Sequence, residues 1–160
     1  MSAPPAIPEN GWTSVQPFPS LSPESFLVAN PSGESVRIAY FRGPEAGVLH
    51  AKAFFGRETQ GPPGHVHGGA MAAVLDEAMG GVCWMNGHRT VAAKIAVSFL
   101  KMLKLETETT VEARIERVEG RKVYLRAALM DGERRVAESD GLFVVLREEK
   151  GSGIFSADSD

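Results

Sequence analysis

One stretch constrains this chain more than any other: a helix signal that is apolar on nearly every side. Over 69–84 the sequence places Ala70, Met71, Ala72, Ala73, Val74, Leu75, Ala78, Met79, Val82 and Cys83 around almost the whole helical circumference. A surface helix gathers its apolar residues into one stripe, whereas a helix apolar all round is buried all round. A length of 160 residues favours a single domain. The simplest enclosure in so short a chain is one long antiparallel sheet wrapped around one helix, an α+β architecture.

Two adjacent carboxylates, Asp76 and Glu77, interrupt this apolar segment. Burying an unpaired carboxylate costs several kcal/mol even after relaxation. Neighbours on a helix point about 100° apart, so the two acids are not expected to line one pocket equally. Asp76 shares its stripe with the small residues Ala72, Ala73, Gly80 and Cys83, which leaves room beside it, while Glu77 shares a side with Ala73, Gly81 and Trp84. From the residues alone, these acids reach solvent, pair with Lys94 or Arg89, or one of them performs chemistry.

The rest of the pattern supplies the sheet. Apolar runs at 36–41 and 48–55 read as two strands before the helix. After it, 90–103 sets Val91, Ala93, Ile95, Val97 and Phe99 on one face against Ala92, Lys94, Ala96 and Ser98. The segment 109–118 alternates Val111, Ala113 and Ile115 with Glu112, Arg114 and Glu116, as a half-buried strand does. Val123, Leu125, Ala127 and Leu129 form another, between turns at Glu119-Gly120 and Asp131-Gly132, and 134–146 is the last, with a bulge or bend expected at Gly141. Short turns between successive strands imply antiparallel pairing. About six strands around one helix leave open edges and a face to cover, so self-association is expected.

The first 34 residues hold seven of the ten prolines and three acids without a Lys or Arg. They read as an extended arm docked through Trp12, Phe18, Phe26 and Leu27, with a short helix near 22–28 capped by Ser22. The organisation expected is an arm at 1–34, a domain at 35–148 and a flexible tail at 149–160. The net charge of −3 excludes a strongly nucleic-acid-binding chain, and the mildly basic middle fits either a small anionic ligand or ordinary surface charge. Cys83 is the one cysteine, so no internal disulfide forms, and its apolar neighbours indicate a buried, inert thiol. That usage, an N-terminus unlike a signal peptide and no apolar run of membrane-spanning length lead to a cytoplasmic expectation. No Walker A, G-x-G-x-x-G or G-x-S-x-G sequence occurs, and His65 and His67 lack a third ligand at metal-site spacing. Neither a cofactor nor a metal is therefore expected.

QGPPGHVHGGAMAAVLDEAMGG at 60–81, VEGRKVYL at 118–125 and AESDGLFVVL at 137–146, in the order β-β-α-β-β-β-β, resemble the hotdog-fold acyl-CoA thioesterases. The likeness is to the phenylacetate-pathway-like and thioesterase-superfamily branch, and it spans roughly 36–147. It implies hydrolysis of acyl-CoA thioesters to free acid and CoA. By that resemblance the acid nine residues after the motif histidine, Asp76, acts as general base on water or as nucleophile. The amide of Gly68 polarises the thioester carbonyl, and His67 borders that oxyanion site. Homodimers or dimers of dimers with active sites between subunits are likewise implied. Around these, Gly69, Gln60, Thr90 and Ala92 are substrate-binding candidates, and Lys101, Arg121 and Lys122 are candidates for the CoA phosphates.

The physical chemistry agrees with such roles. A helix N-terminus offers free N–H groups and a positive dipole end, and glycine there admits a carbonyl without a Cβ in its path. A carboxylate in a low-dielectric pocket becomes a better base near neutrality. The chain also departs from the family pattern. Ala92 stands where several relatives carry a Ser or Thr that helps hold the attacking water, so Thr90, Gln60 or a bound water must serve. Met102 stands where a proline is common. The missing hydroxyl motivates an alternative, a non-catalytic acyl-CoA or fatty-ligand binding protein on the same scaffold. A hotdog hydratase would use a differently spaced His and acid, which the sequence does not display.

Overall fold

The computed structural model describes residues 3–19, 25–27 and 33–147. Seven strands and one long helix follow the order β1 (Thr13–Ser14), β2 (Val36–Arg42), β3 (Val48–Phe55), a 3-10 turn at Arg57–Thr59, α1 (Gly68–Met85), β4 (Thr90–Phe99), β5 (Thr107–Glu119), β6 (Lys122–Asp131) and β7 (Arg134–Val145). They form one antiparallel sheet in the order β1-β2-β3-β5-β6-β7-β4. Helix α1 carries the chain across the sheet, so β4 becomes the edge strand opposite β1. This is the wrapped-helix arrangement expected of a hotdog fold.

Two turns tie sequence to register. Gly120 and Gly132 both adopt φ 59°, and each opens a two-residue loop, closed by Glu119↔Lys122 and Asp131↔Arg134. A positive φ at the first loop position is strained for other residues and natural for glycine. The packed face of α1, with Val74, Leu75, Met79 and Val82, is buried against Leu49 and Phe55 of β3, Val111 of β5, and Leu125 and Leu129 of β6. Full burial of such side chains contributes roughly 1.5–3 kcal/mol each.

Several expectations change. The sheet has seven strands because the N-terminal segment adds the two-residue β1 at the β2 edge. The helix is not enclosed on all sides: Ala72, Ala73, Asp76, Glu77 and Trp84 form a half-buried stripe that the chain's own sheet leaves open. In β4 the register shifts between Ala92 and Lys94, so Ala93 is bulged. The alternation therefore changes phase, and Thr90 and Ala92 share the inward face with Ile95, Val97 and Phe99, opposite the inward residues of β7. Val91 is on the other face. The bulge expected at Gly141 is absent, since Gly141 pairs regularly with Ile95 and Leu125. Its hydrogen is required by close packing instead, because a Cβ there would lie 2.8 Å from the Met79 sulfur.

The N-terminal segment hooks around the β2 edge. Glu9 reaches Lys52 at 2.8 Å, and Trp12 stacks on His50 with ring centroids 4.5 Å apart. After β1, Val15 N–H donates to the Tyr40 carbonyl, and Pro17 and Phe18 come round to the helix side. Trp12, Phe18 and Leu27 dock as expected, whereas Phe26 is 90% exposed. The helix expected near 22–28 falls mostly outside the described residues, of which 25–27 are a bend and a turn.

Candidate active site

The half-open stripe of α1 borders a cavity of about 560 Å³. Its polar lining includes Asp76 and Glu77 from α1 and Thr90 from β4. Ala92, Gly80, Trp84 and Phe143 add the apolar part, and the N-terminal segment supplies Phe18, Pro19 and 25–27. Both acids thus line one space. The cavity is bounded by β4 on one side and by the N-terminal segment on the other, which makes it wide enough to span both directions.

Neither acid has an ion-pair partner among the described residues, and neither Lys94 nor Arg89 neutralises them. Burial raises the Asp76 carboxyl above the ordinary aspartate range. Glu77 is pushed up to about 7, by burial first and by the Asp76 charge second. Like charges held in a poorly solvated space resist ionising together. Behind them the Tyr40 hydroxyl is buried without a hydrogen-bond partner among the described residues, and its ionisation is opposed by burial and then by the Glu77 charge.

Thr90 is 4% exposed. Its hydroxyl sits against the Cys83 thiol, a weak hydrogen-bonding group, and has no stronger partner among the described residues. Burial raises Cys83 to about 11, so the thiol stays protonated near neutrality, as expected of an inert cysteine. The Trp84 indole N–H points to the Thr90 carbonyl at 3.4 Å and ties the helix to the start of β4.

At the other end of α1, His67 is the N-cap, and its Nδ1 accepts the Gly69 N–H at 2.7 Å. Ala70 N–H donates to the His67 carbonyl. The Gly68 N–H is left without a partner among the described residues. The Phe99 ring lies 3.3 Å from where a Gly68 Cβ would stand. Gly68 opens into a separate hollow of about 330 Å³, together with His65, Phe99 and Lys101. Asp76 lies eight residues further along, about 12 Å up the axis at about 1.5 Å per residue. One chain therefore does not bring Gly68 and Asp76 to a common point.

The remaining candidates are scattered. Gln60 accepts the Gly64 N–H at 2.9 Å and pins its own loop. The His65 ring meets the Pro63 carbonyl. Lys101 stands beside the Gly68 hollow, whereas Arg121 and Lys122 occupy the β5–β6 turn, with Arg121 Nε donating to the Val145 carbonyl. Sequence reasoning missed Glu77 as a co-lining residue and the aromatic wall from the N-terminal segment. The prolines there signalled an arm but not where its rings would land.

An open helix stripe, a sheet wrapped around the rest and a cavity lined by two acids between them make up a hotdog fold with a candidate active site. Residues 63–138 match the family model described as Thioesterase superfamily. It is 33% identical over 95 residues to acyl-coenzyme A thioesterase THEM4 of Bos taurus, covering 58% of this chain and 39% of that one. The chain thus spans about two-fifths of the length of the curated relatives it matches. Among solved structures, a thioesterase superfamily protein superposes with a TM-score of 0.63 at 25% identity, covering 68% of this chain and 53% of that chain. A Streptococcus mutans protein solved bound to acetyl CoA gives 0.61 at 19% identity, covering 66% and 86%, a likeness of fold. No helix among the described residues is long and apolar enough to cross a membrane.

Proposed function

We propose that this chain hydrolyses acyl-CoA thioesters, with 35–148 as the catalytic unit and the site assembled between two copies. The observation that carries the reading is Asp76: a carboxylate without an ion pair among the described residues, raised by burial, facing a cavity that Thr90 also lines. A group of this kind binds and polarises water.

Asp76 takes a proton from a water held between its carboxylate and the Thr90 hydroxyl. The resulting hydroxide attacks the thioester carbonyl carbon, and the carbonyl oxygen gains the negative charge. The Gly68 N–H of a second copy donates to that oxygen, a contact worth about 3–4 kcal/mol where such donors have been removed. Collapse of the tetrahedral intermediate breaks the C–S bond, and the departing thiolate takes the proton from Asp76. Direct attack by Asp76 on the carbonyl, through a mixed anhydride, is the variant of this step. The separation of Gly68 from Asp76 along one rigid helix supports the two-copy site, and so does the exposed apolar edge of β4, where Phe99 is 52% exposed. His67 fixes the N-cap and so aims the Gly68 amide, while Lys101 beside it suits a CoA phosphate. In this reading Thr90, on the inward face with Ala92, turns its hydroxyl from Cys83 to the water and so supplies the group that Ala92 lacks.

A panel of acyl-CoAs with a thiol-detecting reagent tests this. Thiol release that falls about 10²- to 10⁴-fold in Asp76→Asn supports the reading. Full turnover in that variant removes Asp76 from the mechanism, and tight binding without thiol release points to the binding protein instead.

A further inference from the structure

The cavity beside Asp76 has a wall that the helix and the main sheet do not make. Phe18 approaches to ring-centroid distances of 6.2 Å from Tyr40 and 6.3 Å from Trp84. Leu27 is 8% exposed and belongs to the core, which anchors the 25–27 turn. Phe26, beside it, is 90% exposed and lines the same cavity. The space therefore has the two carboxylates and Trp84 on its helix side and the Phe18 and Phe26 rings on its outer side, with Gly80 and Ala92 leaving room between.

We propose that Phe18 and Phe26 form the wall that receives the apolar tail of the acyl group, so the N-terminal segment sets which acyl chains this protein turns over. This rests on the cavity being the acyl-CoA site. A phenylalanine carries about 150–250 Å² of surface to bury, and an exposed ring at a cavity mouth gains most from an apolar group laid across it. The carboxylates repel such a tail, because covering them without a partner costs more than apolar contact returns. The reacting carbonyl thus stays at Asp76, and the tail runs outward along Phe18 to Phe26. Acyl chains long enough to reach the rings are the substrates favoured over acetyl.

The experiment measures kcat/KM on the full chain for saturated acyl-CoAs from acetyl to dodecanoyl. Each methylene that reaches the wall is expected to raise kcat/KM by up to about fourfold, the equivalent of about 0.8 kcal/mol per buried CH₂. In Phe26→Ala, and more so in Phe18→Ala with Phe26→Ala, the ratio of dodecanoyl to acetyl is expected to fall by about tenfold or more, mainly through KM. Phe26→Leu retains most of the ratio. Phe26 is so exposed that its replacement leaves the fold intact, and a thermal melt verifies this. An unchanged ratio in an enzyme still dependent on Asp76 overturns this inference and leaves the hydrolase reading standing. A shift in oligomeric state with an unchanged ratio overturns it too, making Phe26 a contact between copies. Absence of hydrolysis across the whole series, with the wild-type chain folded, overturns both.

Discussion

Strands β3 and β4 read alike, VLHAKAFF against TVAAKIAVSF, yet seven of eight positions are buried in β3 and one of ten in β4. The difference lies in what each strand is given to touch. β3 runs between β2 and β5, with α1 on one face and the N-terminal segment on the other, where Trp12 and Glu9 cover His50 and Lys52. β4 pairs only with β7, and its free edge faces outward with Val91 and Phe99 uncovered. Apolar composition states that a strand needs dry contact. It does not state which chain provides that contact.

The sharpest way to break this contrast is Phe55→Ala in β3, where the ring is fully buried. Denaturant unfolding should lose about 3–5 kcal/mol, and a loss below about 1 kcal/mol would deny β3 its structural weight. Glu77→Gln comes next. The folded carboxyl binds its proton more tightly than an ordinary glutamate of 4.5, so stability is full below that value and declines as pH rises toward about 7. The glutamine variant should flatten that decline and be more stable near neutrality by about 1–2 kcal/mol, after discounting for solvent screening. Matching urea midpoints for the two proteins across this pH range would contradict it.

Thr90→Val tests the one buried position of β4. Losing an unsatisfied hydroxyl should leave stability unchanged or raise it by about 1 kcal/mol. If the hydroxyl holds the attacking water, thiol release should fall about tenfold, the equivalent of one hydrogen bond. Phe99→Ala, on the exposed part of the strand, should change the unfolding free energy of the isolated chain by only about 0.5 kcal/mol. Light scattering should nevertheless show smaller species at a given concentration. A large stability loss with no change in mass would make Phe99 an ordinary core residue.

Much of the scaffold was legible in the sequence because its signals are local. The apolar helix, the alternation through β5 and β6 and the glycine turns lie within windows of a few residues, and they appear in the structure within one or two positions of where the pattern put them. Asp76 stood out for a similar reason, as a charge in an apolar helix. What escaped depends on partners distant in the chain. The Ala93 bulge reverses the face that strict alternation assigns to Val91, and nothing in a pair of alanines announces an unpaired position. Glu77 joins Asp76 because a remote segment widens the cavity, which angular separation on a helix cannot express. Gly141 carries a glycine's usual reading as a bulge, while its real constraint is a methionine sulfur on another element.

That close approach at Gly141 reaches further than packing. There a hydrogen of the sheet faces the Met79 sulfur of the helix where a methyl group would not fit, and Phe143, two residues on, belongs to the cavity lining. The gap between the two layers, and with it the breadth of the chamber, is governed from a spot that touches nothing held inside. Exchanging one atom for a few at this hinge of spacing would retune what fits, while every residue facing the guest stayed the same.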